Sequence, residues 1–146
     1  MKISTRGRNA VKFMLDLADH SDGTPVKLKD IAARQNISVK YLEHIASTLH
    51  RASLVTSIKG AGGGYLLPDS PDKYTVGQIL RATEGSMAPT ECVGHNGTEC
   101  HMKSTCVSFR IWDRLNTAID TTLEGITLDD LKNWQEELRP ESQYVI

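Results

Sequence analysis

Ile31-Ala-Ala-Arg-Gln-Asn-Ile-Ser-Val-Lys-Tyr-Leu-Glu-His44 is the stretch on which the fold is decided. It closes one helix, crosses Asn36-Ile37, and opens another at Ser38, whose hydroxyl can accept a free amide of the following turn. Leu28 to Gln35 reads as the first of the pair, with Leu28, Ile31 and Ala32 inward. The second runs to about Arg51, with Tyr41, Leu42, Ile45, Ala46 and Leu49 on its buried face. Two helices joined this tightly form the core of a helix-turn-helix. The second helix of such a pair enters the major groove with its N-terminal residues leading. Ser38, Lys40, Glu43 and His44 hold the exposed leading positions. Lys40 can reach a phosphate or a guanine edge, and Glu43 can accept from cytosine N4. On an isolated helix pair the same residues would read as a solvated polar face.

The flanks favour the groove-reading role. Leu54-Val-Thr-Ser-Ile58 has strand composition, Lys59-Gly-Ala-Gly-Gly-Gly64 is a turn, and Tyr65-Leu-Leu67 returns as a strand ended by Pro68. That hairpin stands where a winged helix carries its wing. Its glycines permit positive φ and close backbone approach to DNA, and Lys59 can point into the minor groove. A phosphate-cradling nucleotide loop is disfavoured, because no helix opening with Lys-Ser/Thr follows the glycines. Upstream, Thr5 to His20 reads as a helix with Ala10, Val11, Met14, Leu15, Leu17 and Ala18 in one stripe. Ser21-Asp-Gly-Thr-Pro25 breaks it.

Downstream, Thr75 caps a short amphipathic helix that ends at Gly85. Next come the chain's three cysteines, Cys92, Cys100 and Cys106, in a stretch rich in Gly, Asn, Thr and Ser. Seven residues separate the first two and five the last two. Soft thiolates on one polar loop suit zinc, Cu(I) or an iron–sulfur cluster, and a fourth ligand must come from elsewhere. From about Thr105 a long helix runs to about Leu123. Val107, Ile111, Leu115, Ala118 and Thr122 trace one seam, and Trp112, Ile119 and Leu123 widen it. So much apolar surface in a small chain calls for self-pairing in a two-fold dimer. Thr127 caps a final helix, Leu128 to Leu138, with Asp129 and Asp130 in its first turn. Trp134 is expected to pack back on the long helix.

The net charge of −1 hides a split. Residues 1–68 hold ten Lys/Arg to five Asp/Glu, and residues 69–146 hold seven to thirteen. A basic contact module is thus joined to an acidic half with another task. The organisation expected is a winged helix-turn-helix over 1–68, a connecting helix and cysteine loop over 69–104, and a dimerisation helix with a C-terminal helix over 105–146. The fold class is mainly α with a small β-hairpin. No apolar run approaches the ~18 residues a membrane span needs, and the N-terminus lacks a secretory core. A cytoplasmic location is expected, where structural disulfides are rare.

Four segments together carry a family resemblance. Met1-Lys-Ile-Ser-Thr-Arg-Gly-Arg-Asn-Ala-Val11, Ile31 to Glu43, Lys59-Gly-Ala-Gly-Gly-Gly-Tyr65 and Ile126-Thr-Leu-Asp-Asp-Leu131 resemble the IscR-like, Rrf-type transcription regulators, a group that includes NsrR and CymR. The resemblance implies a homodimeric winged helix-turn-helix repressor or activator on a palindromic DNA operator. It implies an iron–sulfur cluster of the 2Fe–2S kind on Cys92, Cys100 and Cys106. Carried over by position, the family's base-reading residues fall on Lys40, Glu43 and Lys59; the whole DNA-contacting set expected is Ser38, Lys40, Tyr41, Glu43 and His44 on the recognition helix, with Lys59 and Gly60 on the wing.

Two positions depart from the pattern. The histidine that completes the site in well-known members falls on Phe109, which cannot ligate, and the acidic residue used in NsrR-type members falls in Arg8-Asn9. His101 is the leading candidate for fourth ligand, with His95, Glu91, Glu99 or an exchangeable small molecule behind it. On the wing, Lys59 stands where Arg is common, so the bidentate fork is lost.

The leading expectation is a DNA-binding sensor of iron–sulfur or redox status. A cluster-free thiol switch or cysteine-metabolism regulator of the CymR type, and a nitric-oxide sensor of the NsrR type, are the alternatives. A Cys3His zinc site is a further reading of the cysteines. An enzyme is disfavoured, since no third group orients a Cys–His pair.

Overall fold

The computed structural model describes residues 2–20, 22–94 and 100–140. Six helices and one hairpin follow in order: α1 (Thr5–His20), α2 (Leu28–Gln35), α3 (Val39–Arg51), β1 (Thr56–Ile58), β2 (Gly64–Leu66), α4 (Val76–Glu84), α5 (Val107–Glu124) and α6 (Leu128–Glu137). Short 3-10 turns at Pro71–Lys73 and Glu91–Val93 precede α4 and α5. The expected mainly helical fold with a two-stranded wing is what the chain adopts.

Helix α1 is the hub of the core. Ser4 begins it, its Oγ accepting from the Gly7 amide at 3.1 Å, which satisfies one of the orphan donors of a helix N-terminus. Phe13, Met14 and Leu17 are fully buried. They share one cluster with Ile31, Leu42, Ile45, Leu49, Val55, Tyr74, Ile79 and Leu128. Side chains from the helix-turn-helix, from the approach to α4 and from α6 therefore fill a single core. The Phe13 ring meets the Tyr65 ring edge-on at 5.9 Å, which seats the wing on α1.

The turn between α2 and α3 depends on one backbone state. Asn36 sits in the left-handed region (φ 54°, ψ 49°) and its amide donates to the Ala32 carbonyl. Asparagine tolerates this conformation at little cost, whereas a β-branched residue would not. Ser38 then caps α3, accepting from the Tyr41 amide at 3.2 Å.

A buried carboxylate sets α2 against α1. Asp16 accepts from Arg34 Nε at 3.1 Å, Arg34 Nη2 at 2.7 Å and Gln35 Nε2 at 2.8 Å. His20 Nδ1 lies 3.4 Å from the same group. Asp16 is almost wholly buried, so its oxygens need these hydrogen-bond partners in place of water. The hydrogen bond to Asp16 in turn holds the Arg34 guanidinium above its ordinary value.

The hairpin is antiparallel, with Thr56 opposite Leu66 and Ser57 opposite Tyr65. Val26 adds a single-residue third strand, exchanging two 2.8 Å hydrogen bonds with Tyr65. A Cβ on Gly64 would lie 2.3 Å from the Val26 carbonyl oxygen, so only glycine allows this approach. A second long-range bridge joins Thr75 to Thr127. There the Val76 amide donates to Ile126 and the Leu128 amide to Tyr74, each at 2.9 Å. Both threonines complete capping boxes, with Gln78 and Asp130.

Helix α6 packs on α1 and on the turn at Pro71–Lys73. Gln135 reaches Asp19 of α1 at 2.6 Å. Trp134, expected against the long helix, stays 46% exposed. The reason is that Leu128 and Leu131 already supply the buried side of α6. No helix among the described residues is long and apolar enough to cross a membrane.

Replacing Asp16 with Ala removes the acceptor for three donors, but Arg34 is partly open to water and can rehydrate. The expected cost is about 1–3 kcal/mol, read as a lower denaturation midpoint. A midpoint equal to that of the unaltered chain would show the network to be idle.

Candidate nucleic-acid interface and cysteine segment

Helix α3 divides cleanly into two faces. Leu42, Ile45, Ala46 and Leu49 are buried, while Ser38, Lys40, Glu43 and His44 are exposed. The amphipathic period therefore brings the polar residues of the first turns together on the outer side of α3. Tyr41 lies at the boundary, half-buried and packed against the core. Its anchored ring keeps the start of α3 in place. Lys59 and Gly60 are exposed at the tip of the wing, where Gly60 has φ 107° and so needs a residue without a side chain. Thus the seven expected contact residues fall on two protrusions of one module, six fully exposed and Tyr41 partly so. Helix α2 also contributes basic residues on this half of the molecule, Lys27 at its N-cap and Lys29 in its first turn, both exposed.

The cysteines sit at the edge of α5. Cys92 lies in the 3-10 turn Glu91–Val93, half-buried, with its Sγ 3.0 Å from Thr90 Oγ1. Cys106 is the N-cap residue of α5 and leaves the first amides of that helix without a side-chain acceptor. Cys100 is exposed, and His101 beside it is exposed too. His95 and Glu99 lie outside the described residues, and Glu91 is exposed. Phe109 stacks beneath Lys103 Nζ, 5.1 Å from the ring centroid. An aromatic ring with a cation over it is a packing element, so this position offers no ligand.

Among the described residues, no three His, Cys, Asp or Glu side chains converge on a metal-sized centre. The three thiols expected on one centre, and His101 with them, are thus not brought together. The physical reason is general. Thiolates gathered without a cation repel, so a thiolate set closes with its metal rather than ahead of it. The donor chemistry still suits a soft metal or cluster: three thiols lie in fifteen consecutive residues, one inside the Glu91–Val93 turn and one at the N-cap of α5.

Two features behind the cysteines escaped the sequence reading. Asn116 Nδ2 of α5 donates to the Val93 carbonyl at 3.4 Å, tying the Cys92 turn to the long helix. One and two turns further on, Asp120 and Glu124 receive Arg81 of α4, Asp120 at 3.0 Å. This clamp holds the Arg81 guanidinium above its ordinary value and the Glu124 carboxyl below its own, in each case chiefly through their mutual hydrogen bond. A cleft of about 290 Å³ opens between Arg81, Met87, Val93 and Asn116. Residues spaced by four on one helix and a cation on its neighbour leave no periodic apolar signal, which is why the pattern was not legible.

Helix α5 itself buries no residue. Val107 is 80% exposed, Ile111 56% and Leu115 44%. Its apolar seam continues into a shallow concavity formed by Ile3, Met87, Ala118, Ile119 and Leu123.

Comparison with known proteins agrees with this architecture. The Rrf2 family model, described as an iron-dependent transcriptional regulator, matches residues 3–133. The transcriptional regulator IscR of Aliivibrio salmonicida is 42% identical over 131 residues, 90% of this chain and 77% of that protein. IscR of Pectobacterium carotovorum is 42% identical over 138 residues, 94% of this chain and 83% of that protein. Among solved structures, CymR, the global cysteine regulator of B. subtilis, superposes with a TM-score of 0.77 at 38% identity, covering 92% of this chain and 98% of that one. IscR of T. potens gives 0.75 at 36% identity, covering 97% and 94%. These relatives are named as regulators, not as enzymes.

The two α3 side chains should separate affinity from choice. Lys40→Ala is expected to weaken binding to all duplexes alike and to reduce the salt dependence by about one phosphate contact. Glu43→Ala should relax the choice among half-sites, because a carboxylate in the groove repels phosphate and rejects mismatched sites. Binding titrations on a half-site panel at several salt concentrations decide both. An unchanged preference in Glu43→Ala removes that role.

Proposed function

The chain belongs to the Rrf2 family and is a DNA-binding transcription regulator, and from that premise we propose that it senses iron–sulfur status through Cys92, Cys100 and Cys106. The observation that carries the reading is the position of the thiols. All three flank the N-terminal end of α5, and the family to which the chain belongs is described as iron-dependent. A bound cluster would supply oxidisable, thiolate-ligated iron, whose loss is the signal. Cys92, Cys100 and Cys106 would hold it, with His101 as the first candidate for the remaining position and Glu91 the next.

The chain's own residues carry the rest of the mechanism. On the outward face of α3, Lys40 contacts the phosphate backbone and Glu43 and His44 read the major groove, Ser38 and Tyr41 fix the helix start, and Lys59 and Gly60 approach the minor groove. Two copies paired along Val107, Ile111 and Leu115 would present two recognition helices to a palindromic operator in duplex DNA. Such pairing also removes from water the apolar seam that a single copy leaves open. Ligation can change DNA binding only as far as the two loop states differ in their contact with the DNA-binding half. This is regulation without catalysis, in keeping with regulators named throughout the comparisons.

A second reading rests on the Cys92–Thr90 contact and on the structural likeness to CymR. In it the thiols respond directly to oxidation and no cluster is held.

Anaerobic purification followed by an absorbance spectrum and iron and sulfide assays separates the two. Visible bands with matched iron and sulfide are expected, and serine at any one of the three cysteines should abolish them. Colourless protein that resists reconstitution would overturn the cluster reading. For the pairing, Ile111→Glu should convert a dimer into monomers in sedimentation velocity and weaken operator binding by at least tenfold. A wild-type chain that sediments as a monomer at micromolar concentration would overturn it.

A further inference from the structure

Helix α5 has no buried side chain, yet it lies between the cysteines and the DNA-binding half. Half-buried Trp112, Ile119 and Leu123 give it partial apolar cover, and a row of polar residues on one face fastens it further. Asn116, Asp120 and Glu124 are spaced by four, so they stand in line along the helix. At the first position, Asn116 Nδ2 donates to the Val93 carbonyl, one residue from Cys92. At the second and third, Arg81 of α4 donates to Asp120 Oδ1 at 3.0 Å and to Glu124 Oε1. Thr75, the cap of α4, donates to the other Glu124 oxygen at 3.1 Å. The helices approach so closely here that a Cβ on Gly77 would lie 2.3 Å from Glu124 Oε1 and 3.0 Å from Arg81 Nη1.

Arg81 is planar and makes two distinct contacts, which fixes both the rotation and the axial position of α5 relative to α4. Helix α4 packs in turn against α1 and α3. Its Ile79 shares the core with Leu42 and Ile45 of the recognition helix. A displacement of the Cys92 turn therefore has a contiguous route of hydrogen bonds and packed side chains to α3: Val93 to Asn116, along α5 to Asp120 and Glu124, across Arg81, and through Ile79.

We infer that Arg81 is the positioning residue that couples the cysteine segment to the recognition helix, with Asn116 as its counterpart at the cysteine end. This deepens the regulatory reading above and rests on it for the identity of the signal. The coupling itself is a property of the fold and holds for either cysteine chemistry. Contiguity alone does not establish coupling, which requires that events at one end bias the other. Coupling is reciprocal, so DNA on α3 must alter the surroundings of Cys92 as much as changes at Cys92 alter DNA binding.

The experiment uses full-length, metal-free protein and a duplex selected by the protein itself from a random pool. Alkylation of Cys92 by N-ethylmaleimide is followed by peptide mass spectrometry, with and without the duplex. In the wild-type chain, DNA should change the Cys92 labelling rate at least ~5-fold, the lower end of ordinary allosteric coupling. In Arg81→Gln that change should collapse to less than twofold, while the duplex affinity of the metal-free protein stays within twofold of wild type. Asn116→Ala leaves the α4 clamp intact and should lose the same DNA effect, which keeps the test decisive if Arg81→Gln folds poorly.

A wild-type rate indifferent to DNA would overturn the inference. So would full DNA sensitivity in Asn116→Ala or in folded Arg81→Gln, since simple shielding by the polyanion would persist in both. Absence of a cluster would overturn the iron–sulfur reading and leave this result standing, so the two failures are told apart.

Discussion

An eighteen-residue helix with no buried side chain must be anchored by something other than a core. In one copy of this chain the anchor is polar and lies at the C-terminal end of α5. The bridge between Tyr74–Val76 and Ile126–Leu128 holds the turn that follows the helix. The Arg81 pair with Asp120 and Glu124 holds its last two turns. The cysteines sit at the opposite, N-terminal end, where Asn116 supplies the described hydrogen bond to the Cys92 turn. Everything distinctive about the molecule follows from that asymmetry. The C-terminal end shares a framework with the DNA-binding core, and the thiol end is tied by Asn116 to the Cys92 turn. The seam between them is left apolar and open, with Val107, Ile111 and Leu115 exposed.

The DNA-binding half shows the opposite economy of structure. Phe13, Leu17, Ile31, Leu42, Ile45 and Leu49 are fully enclosed, and the single buried carboxylate, Asp16, has three donors. Close-packed interiors deform little and pass displacement on rather than absorb it. The recognition helix therefore moves with the body that carries it. The wing obeys the same rule through the Tyr65–Phe13 contact and the Val26 bridge. Exposed residues of α3 on such a frame keep their mutual geometry, so on the reading proposed above a signal would reorient the frame as a whole.

What was legible in the sequence is what is written locally. Thr5–His20 and Leu28–Gln35 match their expected bounds, and α3 and α4 begin after the expected caps, Ser38 and Thr75, because stripes and caps depend on residues three and four apart. Strand bounds shifted slightly: β1 begins at Thr56 rather than Leu54, and Gly64 belongs to β2. Phe13 went unnoticed although it is fully buried, since it extends the stripe of α1 on the side that meets the wing. The Val26–Tyr65 and Thr75–Thr127 bridges were invisible because single-residue pairings across 39 and 52 positions leave no period. Arg81, Asp120 and Glu124 read as ordinary surface charge until the helices were placed side by side. The cysteines were conspicuous at once, yet their mutual placement depends on the ligand as much as on the chain.

That last point bears on how a thiol set can regulate at all. Were Cys92, Cys100 and Cys106 already clustered, a metal would bind without moving anything, and no differential contact would reach α3. Here Cys92 is engaged with Thr90 and Cys100 is exposed, so on the proposed reading ligation would have to bring the three thiols together. The free energy of thiolate–metal bonding is large enough to drive such ordering. On that reading part of it would go into rearranging the segment that Asn116 ties to α5. A site that is incomplete until loaded is, for that reason, better suited to sensing than one that is preformed.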